Sequence, residues 1–310
     1  MDLVEKIKIL QNHLKVRNFK KVIEGSKVLL NKMPNNDYLL NITGMAYQGL
    51  SQHDNSIKCF NRALKHSPNN LAAMNNLANS LKAIGKLEES KDLYENILKI
   101  NSNYINGYNN YANLKTLVND YDGAIQLYKK AYSIIEKMDN VPNSTVTGIL
   151  FSLAAAYQSA NKIEETQQIV KKILSIDPSH IGAHKLTGSL IKYSNDNEES
   201  MKHIKEMEEV DKQINDQDLL KKVDISYALG KSYEDLKNFE KAFHYLSKAN
   251  QLKFDKRGSN LEAEKKAIRN IIKIFEGVDL KNSNIEPQEK KIIFILGMPR
   301  SGTTLTEQIV

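Results

Sequence analysis

The residues of this chain best suited to chemistry lie in its last twenty, Lys291 to Val310, KIIFILGMPRSGTTLTEQIV. Ile292, Ile293, Phe294, Ile295 and Leu296 form an unbroken apolar run rich in β-branched residues, which predicts a strand buried on both faces of a parallel sheet. Gly297 and Gly302 permit a tight turn after it and Pro299 stiffens that turn. The backbone amides from Arg300 to Thr304 then converge on one spot, where a helix is expected to begin at about Thr303. Such a spot binds an anion. Gly297 and Gly302 satisfy half of a nucleotide phosphate loop, but Thr303 stands where the lysine that reaches the outer phosphates belongs. ATPase or GTPase chemistry is therefore disfavoured.

PRSGTT instead resembles the 5′-phosphosulfate-binding loop of sulfotransferases, which take a sulfuryl group from 3′-phosphoadenosine 5′-phosphosulfate (PAPS). The longer string IFILGMPRSGTTLTEQI is most similar to the branch with an arginine in that loop. That branch includes tyrosylprotein sulfotransferases and bacterial proteins that join tetratricopeptide repeats to a sulfotransferase domain. The resemblance implies that Arg300 contacts the phosphosulfate and stabilises charge on the bridging oxygen as sulfuryl leaves, and that Ser301, Gly302, Thr303 and Thr304 wrap the 5′-phosphate. It implies PAPS as donor and a hydroxyl as acceptor, protein tyrosine among the candidates. No metal is called for, because Arg300 and the loop amides occupy the place of a cation. The family's arginine and serine for the 3′-phosphate, and the glutamate base of the tyrosine-modifying branch, have no counterpart here. A doubly wound domain runs to about 100 to 150 residues, whereas one strand and the first turns of one helix are present. The 310 residues are thus expected to be a fragment, truncated just after that domain starts and inactive alone.

The rest of the chain must position whatever this loop acts on, and its pattern is repetitive. Asp37 to Asn70 aligns with Leu71 to Tyr104 at an offset of 34: Leu40 falls on Met74, Gly44 on Ala78, Ser56 on Ser90, Phe60 on Tyr94 and Ala63 on Ile97. This is the tetratricopeptide pattern, in which small residues at the eighth and about the twentieth positions let two helices pack closely. Ala112, Ala154, Gly188 and Gly230 continue the eighth-position series, with two steps of 42 that place eight-residue insertions around Asp139 to Val146 and Asn215 to Lys222. Pro34, Pro68 and Pro178 stand near repeat ends, where proline stops a helix. The fold class expected is all-α: a right-handed superhelix of about seven helix pairs over residues 1–256, beginning with a degenerate unit at Leu3 to Asn36. A connecting helix, Leu261 to Phe275, and a polar linker fill 257–290, and 291–310 begin the truncated α/β sulfotransferase domain.

A solenoid presents a concave surface built mostly by the first helix of each pair. There Asn41, Asn75 and Asn109 recur at the fifth repeat position, Asn76 and Asn110 at the sixth, and Asn79 and Asn113 at the ninth. An amide both donates and accepts, so such a ladder suits an extended peptide backbone. It resembles the asparagine ladder of protein O-GlcNAc transferases. Framework asparagine in an Asn-rich sequence is the alternative. Later repeats lose the ladder at Phe151, Ser152 and Ala155.

Composition bounds the remaining classes. The net charge is +7 but Lys and Glu are interspersed, which suggests solvated faces and acidic partners, not nucleic acid. Cys59 is the single cysteine, so no internal disulfide forms, and the seven histidines are scattered without metal spacing. MDLVEKIKIL lacks the apolar core of a signal peptide and no run of about 18 apolar residues exists, so a cytoplasmic protein without a membrane span is expected. The leading expectation is a PAPS-dependent sulfotransferase whose solenoid recruits an acceptor or partner protein. The competing expectation is a non-catalytic scaffold that mediates protein–protein interaction.

Overall fold

Two recurring connections fold the chain into helix pairs. The computed structural model describes residues 3–215, 217–257 and 261–275, and these hold fifteen α-helices and no strand. The pairs are α1 (Leu3–Lys15) with α2 (Phe19–Lys32), α3 (Asp37–Gly49) with α4 (His53–His66), α5 (Leu71–Ala83) with α6 (Leu87–Ile100), and α7 (Ile105–Leu117) with α8 (Tyr121–Ile135). They continue with α9 (Asn143–Ser159) and α10 (Ile163–Ile176), α11 (Ile181–Leu190) and α12 (Glu198–Gln213), and α13 (Leu219–Asp235) and α14 (Phe239–Arg257). The first member of each pair is termed helix A and the second helix B. Helix α15 (Leu261–Phe275) belongs to a separate unit that starts at Arg257. The seven pairs expected from the repeat period, and a helix over 261–275, are therefore present.

The A-to-B turn needs one residue in the left-handed region. Arg17, Ser51, Gly85, Asn119, Asn161 and Lys237 fill that role, with φ from 56° to 81°. Each such turn closes with the same bond, from the amide just after the left-handed residue to the carbonyl five residues back, as in Asn18 to His13 at 2.8 Å and Gln52 to Tyr47 at 2.9 Å. The B-to-A turn is written differently. In Met33–Asn36, Ser67–Asn70 and Asp177–His180 a proline in second place stops helix B, and the fourth residue caps the next helix A. Asn36 Oδ1 accepts from the Leu39 amide at 2.9 Å, Asn70 Oδ1 from Ala73 at 3.1 Å, and His180 Nδ1 from Ala183 at 3.1 Å.

Between the helices of a pair the small residues do what the pattern requires. A Cβ added at Gly44 would sit 2.5 Å from the Phe60 ring, which is fully buried. Ser56, Ser90, Thr166 and Ser200 at the twentieth position are buried as well. Each apolar cluster bridges neighbouring pairs: Met74, Ala78, Tyr94, Ile97, Tyr111 and Leu114 join α5, α6 and α7. The core is thus a chain of local clusters, each stabilised by its neighbours, as in other solenoids.

Both insertions fall where expected. Each lengthens the following helix A at its start, so that α9 and α13 have 17 residues where α3, α5 and α7 have 13. The sixth pair departs from the pattern in the other direction. Helix α11 stops at Leu190 after 10 residues, and the chain runs on without helix from Ile191 to Ser194. The next repeat pins that segment: Lys231 Nζ donates to the Ile191 carbonyl at 2.8 Å, and Asp235 Oδ2 accepts from the Tyr193 amide at 3.1 Å. No helix among the described residues is long and apolar enough to cross a membrane. The expected strand at Ile292 to Leu296, the linker before it and the loop from Arg300 to Thr304 lie outside the described residues.

Candidate partner-binding wall

Helix A packs on helix A of the next pair along α1, α3, α5 and α7, so these helices form the closely spaced inner wall of the first repeats. Their sequences put asparagine on it, and the structure shows what the amides do. Asn76 Nδ2 donates to Asn41 Oδ1 at 3.0 Å, and Asn110 Nδ2 donates to Asn75 Oδ1 at 2.9 Å. Sixth-position amides therefore clamp fifth-position amides of the preceding repeat, with Asn75 itself buried. The ninth position is locked within its own pair: Tyr94 Oη donates to Asn79 Oδ1 and Tyr128 Oη to Asn113 Oδ1, both at 2.7 Å. Gln48 adds a further tie across repeats, from Nε2 to the Asn76 carbonyl and to Ser80 Oγ, both at 2.7 Å.

The ladder is thus half framework. Asn79 Nδ2 and Asn113 Nδ2 keep donor capacity that no described residue takes up, and Asn76 Oδ1 and Asn110 Oδ1 keep acceptor capacity. Asn109 is half-buried and makes no side-chain bond among the described residues. Of the seven predicted partner-binding residues the structure links Asn41 with Asn76 and Asn75 with Asn110, and aligns the others along the same helices.

The tyrosines behave as packing residues with polar ends. Tyr94 and Tyr111 stack at 5.8 Å, and the Tyr111 hydroxyl reaches Glu95 at 2.8 Å. Cys59 is half-buried, and burial pushes its thiol up despite nearby Arg62, so it is not a poised nucleophile. Among the described residues no group of three His, Cys, Asp or Glu side chains could hold a metal ion. Residues Arg300, Ser301, Gly302, Thr303 and Thr304 are outside the described residues.

The histidines are scattered in sequence, yet His184 and His203 meet in the interior with Tyr193 between α11 and α12. The signal was available. The fourth repeat position is filled by buried Leu40, Met74 and Leu150 elsewhere, so a histidine there had to be inside and had to find a partner. A cleft of about 340 Å³ opens beside this pair where the last turn of α11 is missing, floored by Val170, Leu174 and Leu190 and edged by Lys171 and Lys202.

Comparison with known proteins agrees with the repeat reading. Tetratricopeptide-repeat family models match residues 39–70, 59–92 and 223–256, which do not include the loop at 291–310. An uncharacterized protein of Aquifex aeolicus is 30% identical over 165 residues, 53% of this chain, and the chain spans only 20% of that relative's length. Among solved structures, a tetratricopeptide repeat protein of Parabacteroides merdae superposes with a TM-score of 0.54 at 17% identity, over 86% of this chain and 96% of its own. The C-terminal part of a TPR repeat-containing protein of Cytophaga hutchinsonii gives 0.54 at 14% identity, over 79% and 94%. A thermophilic TPR protein of Thermus thermophilus gives 0.51 at 14% identity, over 60% and 97%. These likenesses concern the fold.

Proposed function

We propose that this tetratricopeptide-repeat solenoid is a scaffold that holds a protein partner in extended form along the inner wall of α3, α5 and α7. The observation that carries the reading is the row of half-used amides. Donor capacity at Asn79 and Asn113 alternates with acceptor capacity at Asn76 and Asn110, and an extended backbone presents both kinds of group at regular intervals. Because the other half of each amide is fixed by the framework, little side-chain entropy is lost on binding. The test is fluorescence anisotropy with a pool of unstructured peptides, comparing the parent with Asn79→Ala/Asn113→Ala. Loss of two hydrogen bonds should weaken binding by about 1 to 3 kcal/mol. Unchanged affinity in the double variant would remove the ladder from the site.

A second reading rests on the sequence PRSGTT after an apolar run: the complete protein is a sulfotransferase, with PAPS as donor and the solenoid delivering a hydroxyl-bearing acceptor to Arg300. Catalysis there would come from positioning and fixed positive charge. Calorimetric binding of 3′-phosphoadenosine 5′-phosphate to the complete gene product, with Arg300→Ala alongside, tests it. Binding abolished by the substitution supports a donor site. No binding to the folded parent leaves the scaffold alone.

A further inference from the structure

The charge of the chain is not spread as evenly as its alternation of Lys and Glu suggests. Residues 1–66 contain eleven Lys or Arg against five Asp or Glu, an excess of +6 out of the total of +7. Ion pairing is uneven in the same way. Among the described residues every ion pair joins residues from Lys86 onward, beginning with Lys86 and Glu89 at 2.7 Å. Among the described residues no cation of the first two repeats is ion-paired. Lys15, Arg17, Lys20 and Lys21 crowd the turn between α1 and α2, Lys27 follows on α2, and Lys58 and Lys65 lie on α4, all exposed.

Helix electrostatics make this arrangement unusual for the chain itself. The second residue of helix B is acidic in every later pair: Asp54, Glu88, Asp122, Glu164, Glu199 or Glu240. A carboxylate there meets the positive end of the helix dipole and stabilises it. Helix α2 instead places Lys20 and Lys21 in its first turn, with no acidic residue there and no side-chain cap from Asn18. Like charge is concentrated at the end of a helix where it destabilises the fold. Isolated apolar side chains stand out among these cations: Val4 is 67% exposed, Val16 71% and Val28 60%.

We propose that the first two repeats form a peripheral binding surface for an anionic phospholipid bilayer. The cations are spread over α2, α4 and the turn between α1 and α2 instead of converging on a groove, which suits a plane of negative charge. Val4, Val16 and Val28 supply shallow apolar contacts of the kind that accompany polybasic membrane surfaces. Lysine outnumbers arginine nine to two in this stretch and no row of aromatics accompanies it, unlike a surface that stacks nucleic-acid bases. The cations lie at the α1–α2 turn and on α2 and α4, and the asparagines on α3, α5 and α7, so the proposal stands whether or not a peptide binds to the wall.

The test is co-sedimentation of the full chain with vesicles of phosphatidylcholine alone and of phosphatidylcholine mixed with phosphatidylserine. Binding should favour the anionic vesicles by at least about tenfold and weaken steeply with added salt. Lys20→Glu/Lys21→Glu and Lys58→Glu/Lys65→Glu should each abolish most of it, with the helical circular dichroism unchanged. Lys192→Glu/Lys205→Glu, which removes exposed lysines of the sixth pair, should leave it intact. Equal binding to both vesicle types, no binding at low salt, or equal loss with the control variant would overturn the proposal. Polyglutamate binding the parent more tightly than the anionic vesicles do would overturn it in favour of an acidic protein partner.

Discussion

His184 Nδ1 lies 2.9 Å from His203 Nε2, and the two rings form the middle of a buried hydrogen-bond chain that has one direction. The Pro178 carbonyl can only accept, so His184 Nε2–H donates to it at 2.8 Å and Nδ1 is left as an acceptor. His203 Nε2–H fills that acceptor, and His203 Nδ1 accepts from the Tyr193 hydroxyl at 2.7 Å. Every polar atom is satisfied only while both imidazoles are neutral. The chain also ties four pieces of backbone together: the turn before α11, α11 itself, the extended segment after it, and α12.

Stability should therefore fall on mild acidification. Burial holds both imidazoles below the usual range, His203 down to about 4 with the nearby His184 adding to the effect. Histidine in the unfolded chain titrates near 6.5. Between about pH 6.5 and 4 the unfolded state binds more protons than the folded one, so the free energy of unfolding decreases as pH decreases. For His203 alone this amounts to about 3 kcal/mol across the window. Asp37 and Asp120, whose carboxyls are held below their ordinary range, act at lower pH still. Urea denaturation at intervals from pH 7 to 4.5 should show the decline. His184→Leu/His203→Leu should flatten it, and an unchanged slope in that variant would disprove the assignment.

The segment that carries Tyr193 depends on one carboxylate. Asp235 accepts from the Tyr193 amide and from Lys231, whose ammonium also holds the Ile191 carbonyl. Asp235→Ala leaves the Tyr193 amide and the Lys231 charge without that partner, which should cost about 1 to 3 kcal/mol. It should also raise amide exchange locally at residues 191–194 while α3 to α8 keep their protection. Exchange that rises equally throughout the chain would mean that the segment is not a separate local unit.

These two features were also the least legible in the sequence, and for the same reason. The helix pairs follow from a repeat period that any 34-residue offset reveals, and the insertions announce themselves as steps of 42. Small residues at the eighth position and prolines at the repeat ends act locally, so their roles can be read residue by residue. The early end of α11 comes instead from contacts with Lys231 and Asp235, about 40 residues further on in the next repeat. No local propensity encodes that. The asparagine wall was legible as a row of residues, but only geometry shows that one group of Asn41, Asn75, Asn76 and Asn110 is already spent between repeats. A histidine at the normally apolar fourth position was the one overlooked signal of the buried pair.

The contact between Asn75 and Asn110 should appear as coupling between repeats. A buried amide bonded to a neighbour at 2.9 Å contributes about 0.5 to 1.5 kcal/mol net, and removing one partner strands the other. A double-mutant cycle with Asn75→Ala and Asn110→Ala, read by urea denaturation, should give a coupling energy of about 1 kcal/mol. Strict additivity would mean that the amides serve only an external ligand.

The left-handed turn residues offer a test of strain. Arg17, Ser51 and Lys237 carry a Cβ at φ near 58°, where it crowds the carbonyl at a cost of about 1 kcal/mol, whereas Gly85 holds the equivalent place at 81° without that crowding. Glycine also loses more chain entropy on folding, so the gain from relieving the strain is partly offset. Ser51→Gly and Lys237→Gly should each stabilise the chain by about 0.5 to 1 kcal/mol, and Gly85→Ala should destabilise it by a similar amount. Asn195 occupies the corresponding place in the sixth pair but has no positive φ, because α11 has already ended. Asn195→Gly should therefore give no gain, since only the entropy of the unfolded chain changes. Urea midpoints for the four variants decide the matter: a gain at Asn195 equal to that at Lys237 would show that glycine acts through something other than turn strain.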